Sequence, residues 1–299
     1  MAVLNSKDQL SVFVTGNRGF VGANLIRKLK NYISVVPADK NSDERIDILK
    51  RDQLQLLRNT DVIIHLASKT SILNSTINPY EYYLTNVLGT LNILDLARQN
   101  NVKKVVNIST YIYGKPSYFP VNENHPIKPH SPYTKSKVIA EKLCEFYADD
   151  YGIDVVTLRP FYIYGPSQNE LTFIPSIIKQ IKKNGTVTLS SRNTKRDFLF
   201  VDDFIDLIYK IILSFPKGYS TYNVGFGKSY PLERVVEITG QILNINVNIE
   251  YNSSMRPNDI TDMVADITQL EKLYGWKPQI DIETGLRLTL SDSMNKIGY

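Results

Sequence analysis

The chain has 299 residues, 42% of them hydrophobic, which is enough for one large or two modest domains with a packed core, and its single cysteine excludes an internal disulfide. The net charge of +5 is spread along the chain without a block of about five or six like charges, so we expect no nucleic-acid partner. Neither a signal peptide nor an apolar run of about 20 residues is present, so we expect a cytoplasmic protein without membrane contact.

The first predicted strand and the turn after it indicate a dinucleotide site. The apolar run SVFV is followed by TGNRGFVGANL and then by an amphipathic helical stretch. Gly16, Gly19 and Gly22 leave no side chains where the backbone turns sharply and approaches a pyrophosphate at the helix N-terminus. The second predicted strand, ISVVPAD, ends in Asp39, close to the spacing of about 20 residues expected for a carboxylate that binds an adenosine ribose.

Strand-like runs alternate with helical stretches through the first half of the chain. The strand-like runs are SVFVTG, SVVPAD, DVIIHLA, KVVNIS and DVVTLRP, and the main helical stretches are Pro79 to Gln99 and Pro132 to Tyr151. This alternation predicts an α/β fold with a parallel, doubly wound sheet. Beyond Pro166 the alternation loosens, so we predict a nucleotide-binding domain over residues 1–166 and a smaller substrate domain over residues 167–299.

Tyr133 and Lys137 carry the predicted chemistry. At a spacing of i and i+4 they share one face of a helix, and an ammonium beside a phenol is expected to lower the pKa of that phenol below about 10. The tyrosine could then exchange a proton with a sugar hydroxyl. Ser109 and Thr110 end the fourth strand, at the edge where an open sheet binds its ligand, and a hydroxyl there could bond the same substrate oxygen.

A series of ordered motifs extends almost from end to end. They are TGNRGFVG, IDIL with Asp47, HLAS, NVLGT, STYIYG, SPYTKSK, LRPFYIYGP, RDFLFVDD, YNVGFGKSY, RPND and YGWKP. Together they resemble an extended short-chain dehydrogenase/reductase of the NAD-dependent epimerase/dehydratase family, which acts on nucleotide sugars.

The resemblance implies a Rossmann domain with a smaller C-terminal α/β substrate domain, and a return of residues 197–224 to the first domain. It also implies a homodimer formed through the long helices that include Pro79 to Gln99 and Pro132 to Tyr151.

The resemblance assigns site residues motif by motif. Tyr133 would be the acid/base, Lys137 would bind the nicotinamide ribose, and Ser109 or Thr110 would orient the substrate oxygen. The residues expected to bind the cofactor are Gly16, Asn17, Arg18, Gly19, Phe20, Val21, Gly22, Asp39, Lys40, Asp47, Ile48, Leu66, Ala67, Ser68, Asn86, Tyr133, Lys137 and Pro160. Those expected to bind a nucleotide-diphosphate sugar are Ser109, Tyr111, Tyr162, Arg196, Arg256 and Asp259, and no metal is expected.

The predicted reaction is that of an NAD(P)-dependent nucleotide-sugar 4-epimerase, in which Tyr133 removes the proton of the 4-hydroxyl and a 4-keto intermediate forms. The alternative is an NADPH-dependent 4-ketoreductase of a nucleotide 4-keto-6-deoxy sugar. A 4,6-dehydratase is disfavoured, because Tyr111 and Ile112 stand where those enzymes carry an Asp-Glu pair. Tyr162 stands where an asparagine is common in the family, which puts the usual diphosphate contact in doubt.

Two points stay open at the level of sequence. Counting back from Tyr113 and Gly114 selects Ser109 as the catalytic hydroxyl, whereas counting from the strand end selects Thr110. Asp39 favours NAD, because a carboxylate repels a 2′-phosphate, whereas Arg18 and Lys40 favour NADP. We predict NAD, with NADP as the alternative.

Two readings from other classes share some of these motifs. A dehydrogenase of non-sugar ketones would share TGxxGF and YxxxK, but the arginines of RDFLFVDD and RPND suit a diphosphate. A non-catalytic NADP-sensing regulator of similar fold would lack the Tyr-Lys pair, and both residues are present here.

Overall fold

A computed structural model describes residues 10–40, 46–57, 60–252 and 260–295. Within these residues the chain forms two compact units, each built from separate stretches of sequence. The first unit contains the described parts of Met1–Ile112, Ile127–Pro160 and Ile205–Tyr222, and the second those of Tyr113–Pro126, Phe161–Phe204 and Asn223–Tyr299.

The described residues form both strands and helices. The strands are β1 (Leu10–Thr15), β2 (Ile33–Ala38), β3 (Val62–His65), β4 (Lys104–Ile108), β5 (Asp154–Pro160), β6 (Tyr162–Tyr164), β7 (Thr186–Leu189), β8 (Lys195–Phe200), β9 (Tyr219–Val224), β10 (Ser229–Pro231) and β11 (Asn248–Tyr251). The α-helices are α1 (Phe20–Leu29), α2 (Ile72–Ile77), α3 (Pro79–Tyr83), α4 (Gly89–Gln99), α5 (Pro132–Tyr151), α6 (Phe173–Asn184), α7 (Val201–Leu213), α8 (Leu232–Leu243), α9 (Thr268–Tyr274) and α10 (Ile282–Asn295). A 3₁₀ helix over Arg51–Leu57 lies between β2 and β3.

The first unit contains a six-stranded sheet with the order β2-β1-β3-β4-β5-β9. The neighbouring pairs from β2 through β5 are all parallel. Every residue of β3 and β5 is buried, as expected for central strands of a parallel sheet that is covered on both faces. The predicted α/β fold with a doubly wound parallel sheet is therefore confirmed.

One hydrophobic cluster joins this sheet to two helices. Buried residues from β1, β3, β4 and β5 pack with Ile93 and Leu94 of α4 and with Cys144 and Ala148 of α5. Burial raises the pKa of the Cys144 thiol, so this cysteine is a core residue in its protonated form.

The long helix α5 is fixed at both ends and along its length. Ser131 and Thr134 form a capping box, in which each side chain accepts a hydrogen bond from the backbone N–H of the other residue. Gly152 ends the helix in the left-handed conformation. A buried ion pair between Arg159 of β5 and Glu141 of α5, at 2.7 Å, holds the helix against the sheet. Tyr133 and Lys137 thus lie in the first turns of a rigidly held helix.

The predicted helix over Pro79 to Gln99 is divided by a π-helical segment, Leu84–Leu88, between α3 and α4. A π-helical turn contains an extra residue and is often found at functional sites. Here the segment carries Asn86, which is 1% exposed and hydrogen-bonds outside its own helix.

The second unit contains two small sheets, with the orders β10-β8-β6 and β11-β7. Asp197 of β8 is a buried connector in this unit, because its carboxylate accepts hydrogen bonds from the backbone N–H groups of Phe226, Gly227 and Ala265. Trp276 is buried and donates to the carbonyl of Asp203 at 3.1 Å. Across the described part of the chain, no helix has the length and hydropathy that crossing a membrane requires.

Candidate active site

The glycine-rich turn after β1 is shaped by backbone contacts that exclude side chains. Gly16 has a φ of +69°, and a Cβ added there would lie 2.7 Å from the backbone nitrogen of Ala67. A Cβ added at Gly22 would lie 2.4 Å from the carbonyl oxygen of Gly16. Helix α1 begins at Phe20 without a side-chain cap and without an acidic residue in its first turn. Its N-terminal N–H groups are therefore suited to an anion such as a pyrophosphate.

Five buried polar side-chain atoms of the first unit find no hydrogen-bond partner among the described residues, and two of them belong to predicted site residues. These two are Oδ1 of Asn17, in the glycine-rich turn, and Oγ of Ser109, after β4. Buried polar groups are normally hydrogen-bonded, so orphaned atoms of this kind point to a bound molecule. Gly16, Gly19 and Gly22 of the turn form a cradle without side chains, which we call the glycine cradle. Together with this cradle, the two orphaned atoms fit a dinucleotide.

The end of β2 lies beside the glycine-rich turn. Gly16 N–H donates to the carbonyl of Ala38 at 2.8 Å, and Arg18 N–H donates to the carboxylate of Asp39 at 3.3 Å. Asp39 is partly buried, whereas the side chains of Arg18 and Lys40 are exposed. The residues that suggest NAD and those that suggest NADP are thus brought to the same edge of the sheet.

Two further segments that are predicted to bind the cofactor follow β2 and β3. Asp47 accepts a hydrogen bond from Leu49 N–H at 3.0 Å and so shapes its own turn, while Ile48 is buried against Gly89. The segment Leu66 to Ser68 leaves β3 beside the glycine-rich turn, with Ala67 N–H donating to the Thr15 hydroxyl at 3.2 Å. The structure therefore places both segments in the unit that carries the glycine cradle.

The Thr110 hydroxyl lies near enough to that of Tyr133 to lower the pKa of the phenol. Ser109 is 4% exposed, and its N–H donates to the carbonyl of Leu158 at 2.8 Å, which fixes it to the end of β5. Thr110 is thus the hydroxyl residue that acts on the tyrosine, whereas the Ser109 hydroxyl is buried without a partner among the described residues.

Burial dominates the ionisation of Tyr133 and Lys137. It raises the pKa of Tyr133 to about 12, against the hydrogen bond from Thr110, which lowers it. It also lowers the pKa of Lys137 to about 8, and the ammonium donates to the carbonyl of Ile108 at 2.8 Å. The expected lowering of the Tyr133 pKa by Lys137 is therefore not seen, because desolvation of the phenolate outweighs it in this structure.

The remaining predicted residues divide between the two units. Tyr111 and Pro160 are buried in the first unit. In the second unit the Tyr162 hydroxyl accepts from Phe173 N–H at 3.1 Å, and Arg196 donates to the carbonyls of Lys195 and Ile260. Arg256 and Asp259 lie outside the described residues. No group of three metal-ligating side chains lies together in the described ranges.

Three buried residues around Asn86, namely His65, Thr90 and Ser136, were given no role from the sequence. His65 hydrogen-bonds Thr90, which donates to the carbonyl of Asn86, and Ser136 accepts from the Asn86 side-chain amide. The position of Thr90 four residues after Asn86, on one helix face, was the available signal.

Comparison with known proteins assigns this chain to a family. The sequence profile of the NAD dependent epimerase/dehydratase family matches residues 12–225. The UDP-glucuronate 4-epimerase of Thermodesulfobacterium geofontis is 33% identical, over 85% of this chain and 79% of its own length. Other relatives include a UDP-glucuronic acid decarboxylase of Arabidopsis thaliana and a dTDP-glucose 4,6-dehydratase of Streptomyces venezuelae.

Solved structures are similar along their whole length. The UDP-N-acetylglucosamine 4-epimerase of Methanobrevibacter ruminantium, in complex with UDP-N-acetylmuramic acid, has a TM-score of 0.89 at 28% identity, covering 96% of this chain and 99% of its own. RMD of Pseudomonas aeruginosa, complexed with NADPH, has a TM-score of 0.86 at 29% identity, covering 96% and 100%.

Proposed function

Because this chain belongs to the NAD dependent epimerase/dehydratase family, we propose that it is a nucleotide-sugar 4-epimerase that binds NAD and acts through a 4-keto intermediate. The relatives that support a UDP-sugar include the UDP-glucuronate 4-epimerase and the UDP-N-acetylglucosamine 4-epimerase. The absence of an Asp-Glu pair after Thr110 argues against water elimination.

The observation that carries the proposal is the position of Tyr133 and Lys137, one helical turn apart on α5, with the Lys137 ammonium donating to the carbonyl of Ile108 at 2.8 Å and the Thr110 hydroxyl near that of Tyr133. It places a phenol, a hydroxyl and an ammonium at the end of β4, in the unit that holds the glycine cradle. This is the position at which ligands bind in open α/β sheets.

The residues have separable tasks in this reaction. When bound, the nicotinamide would supply the hydride chemistry at C4 of the sugar. The Tyr133 phenolate would accept the proton of the 4-hydroxyl and become a phenol, and after the sugar has rotated this phenol would return the proton to the 4-keto oxygen. The Thr110 hydroxyl would donate to the phenolate before the first transfer and after the second. Lys137 supplies a positive charge from the same helix face, and burial of the site strengthens each of these interactions. Gly16, Gly19 and Gly22 would hold the pyrophosphate.

A second candidate function is a 4-ketoreductase with NADPH. It is favoured by the raised pKa of Tyr133, because a phenol that keeps its proton at neutral pH is ready to protonate a keto oxygen. The exposed Arg18 beside Asp39 would meet a 2′-phosphate, and the similar RMD structure holds NADPH.

The two candidates are separated by the fate of the cofactor. We would denature the purified protein, identify any released dinucleotide by mass spectrometry, and then incubate the protein with UDP-, GDP-, dTDP- and CDP-hexoses. The proposal predicts retained NAD and interconversion of 4-epimers without added reductant. An empty site that binds NADPH more tightly than NADH, with no epimer formed, would support the ketoreductase instead.

A homodimer remains a prediction, and exposed apolar side chains support it. Leu73, Ile77, Tyr80, Ile139 and Phe146 are exposed on α2, α3 and α5 of the first unit. A dimer formed through these helices should dissociate when Phe146→Glu adds a charge to the apolar surface, as measured by sedimentation velocity. A wild-type protein that sediments as a monomer would contradict the prediction.

A further inference from the structure

We infer that His65 is a positioning residue in one directed hydrogen-bond chain that ties the glycine-rich turn to the backbone of Tyr133. The inference rests on the proposed role of Tyr133 as acid/base. The chain runs through Thr15, His65, Thr90, Asn86 and Ser136, all of them buried in the first unit.

The half of the chain nearest the glycine-rich turn begins at Thr15. Its hydroxyl oxygen accepts from Ala67 N–H and lies 2.8 Å from Nδ1 of His65. The other ring nitrogen, Nε2, lies 3.1 Å from the hydroxyl oxygen of Thr90. Thr90 donates its single hydrogen to the carbonyl of Asn86 at 2.7 Å, so it accepts from the ring. Nε2 therefore carries the ring hydrogen, and Nδ1 accepts from the Thr15 hydroxyl.

The half nearest the tyrosine is equally directed. Asn86 Oδ1 accepts from Lys69 N–H at 2.8 Å, and Nδ2 donates to the Lys69 carbonyl at 3.0 Å. Nδ2 also donates to the Ser136 hydroxyl at 2.9 Å. Ser136 in turn donates its hydrogen to the carbonyl of Tyr133 at 2.7 Å. Each hydroxyl in the chain thus has one donor and one acceptor role.

Burial gives this chain its mechanical value. His65 is 3% exposed and Thr90 is 3% exposed, so water does not compete for the links. Burial, and then the charge of Lys137, lower the pKa of His65 to about 3, which keeps the ring neutral as the hydrogen-bond pattern requires. A neutral imidazole can accept a hydrogen bond at one nitrogen and donate one at the other, so it fixes the position of β1 relative to the π-helical segment.

The hydrogen-bond chain fixes the position of the cofactor cradle relative to Tyr133, and the proposed reaction needs both. Thr15 directly precedes Gly16 of the cofactor cradle, and the Tyr133 carbonyl belongs to the acid/base residue itself. A break at Thr90 should leave both groups present but no longer fixed to each other. Such misplacement lowers the rate of the chemical step more than it weakens binding.

The test compares two threonines with the same local bond. Thr90 and Thr239 are both buried, and each donates to the carbonyl four residues earlier at 2.7 Å, but only Thr90 faces His65. We expect Thr90→Val to lower kcat about tenfold with KM nearly unchanged, and Thr90→Ser to restore kcat. We expect Thr239→Val to lower the melting temperature and leave kcat unchanged. Equal kcat in the two valine variants, at matched folding, would overturn the inference.

A second measurement needs neither a substrate nor a variant enzyme that is active. ¹⁵N NMR of the imidazole nitrogens in the wild-type protein, with His65 assigned by its loss in His65→Gln, should show a neutral ring protonated on Nε2 at about pH 5. A ring protonated on Nδ1, or on both nitrogens, would contradict the inferred direction of the hydrogen-bond chain. If no nucleotide sugar is converted but the Nε2 tautomer is found, the proposed function is contradicted and the hydrogen-bond chain is supported.

Discussion

In the first unit the predicted catalytic side chains lie at the end of β4, where Lys137 donates to the carbonyl of Ile108 and the Thr110 hydroxyl lies near that of Tyr133. In the second unit the predicted substrate residues Tyr162 and Arg196 bond to backbone groups of their own surroundings. The first arrangement fits the proposed reaction centre. The second is a set of side chains whose hydrogen bonds stabilise the unit itself.

The difference lies in what fixes each set of residues. Backbone geometry fixes the first unit: glycines that exclude a Cβ, a capping box, and an i, i+4 spacing on one helix face. Side-chain packing fixes the second, where Tyr162 packs against Phe198 with ring centroids 4.9 Å apart. Cofactor and acid/base chemistry are therefore readable from sequence spacing, whereas the identity of the sugar and base is not.

The largest effect is expected from Tyr133→Phe, which removes the acid/base group of the first unit. Its kcat should fall by a factor of about 10² to 10⁴, with dinucleotide affinity retained, because the ring still packs in place. Steady-state kinetics and a cofactor titration measure the two. Tyr82→Phe is the matched control, since its ring packs edge-on against Tyr133 at 6.4 Å. Normal turnover by Tyr133→Phe would defeat the proposed mechanism.

Lys137→Met separates function from stability. The pKa of Lys137 falls from 10.5 to about 8 on folding, so between these values the unfolded chain binds more protons and stability rises with pH. The buried charge costs the folded state about 2 kcal/mol at neutral pH, after allowance for the bond to Ile108. The methionine variant should thus be inactive yet unfold at a higher urea concentration at pH 7. Its advantage should shrink as the pH rises from 8 towards 10.5.

A Lys137→Met variant that is less stable than the wild type at pH 7 would show that the ammonium is well solvated or well paired. A stability difference that does not change with pH would point to packing rather than to the buried charge.

Gly16→Ala tests the cradle against a glycine of similar conformation. Gly16 and Gly152 have φ values of +69° and +61°, but an added Cβ meets Ala67 only at Gly16 and nothing within 4 Å at Gly152. Both alanine variants should lose about 1 kcal/mol of stability through backbone strain, and Gly16→Ala should lose more because its Cβ also collides with the Ala67 backbone. Only Gly16→Ala should also weaken dinucleotide binding, by about tenfold or more, in isothermal titration. Equal binding by both variants would remove the cradle from the account.

Much of the first unit follows from its sequence, and the exceptions have physical causes. Five strands and helix Pro132–Tyr151 were predicted from the hydrophobic period of the sequence. The π-helical segment at Asn86 was not, because one extra residue in a turn barely changes that period. Spacing alone could not choose between Ser109 and Thr110, and the direction of the Tyr133 pKa shift was wrong, because burial is a property of tertiary packing.

The second unit was less predictable for the same reason. The Tyr162 hydroxyl accepts a hydrogen bond from the first N–H of α6. This contact depends on how the helix packs, and no residue spacing in the sequence predicts it. Arg196, assigned by motif to a diphosphate, also bonds two backbone carbonyls, so its role towards a substrate remains a prediction.

The smallest effect is expected at the cofactor ribose. The backbone of Arg18 donates to Asp39, so the two side chains start from one edge of the sheet. Arg18→Ala should weaken the binding of NADPH several-fold more than that of NADH, because only NADPH carries a 2′-phosphate that the guanidinium can contact. Fluorescence titration with both dinucleotides measures the ratio. Equal losses would show that Arg18 does not contact the 2′-phosphate.

The most direct measurement uses a nucleotide sugar that the incubation identifies as a substrate, labelled with deuterium at C4. The 4-epimer produced without added reductant should retain the deuterium at C4, because the label leaves and returns within one active site while Tyr133 moves only the hydroxyl proton. Loss of the deuterium to water, or conversion that requires stoichiometric reductant, would contradict the proposed 4-epimerase.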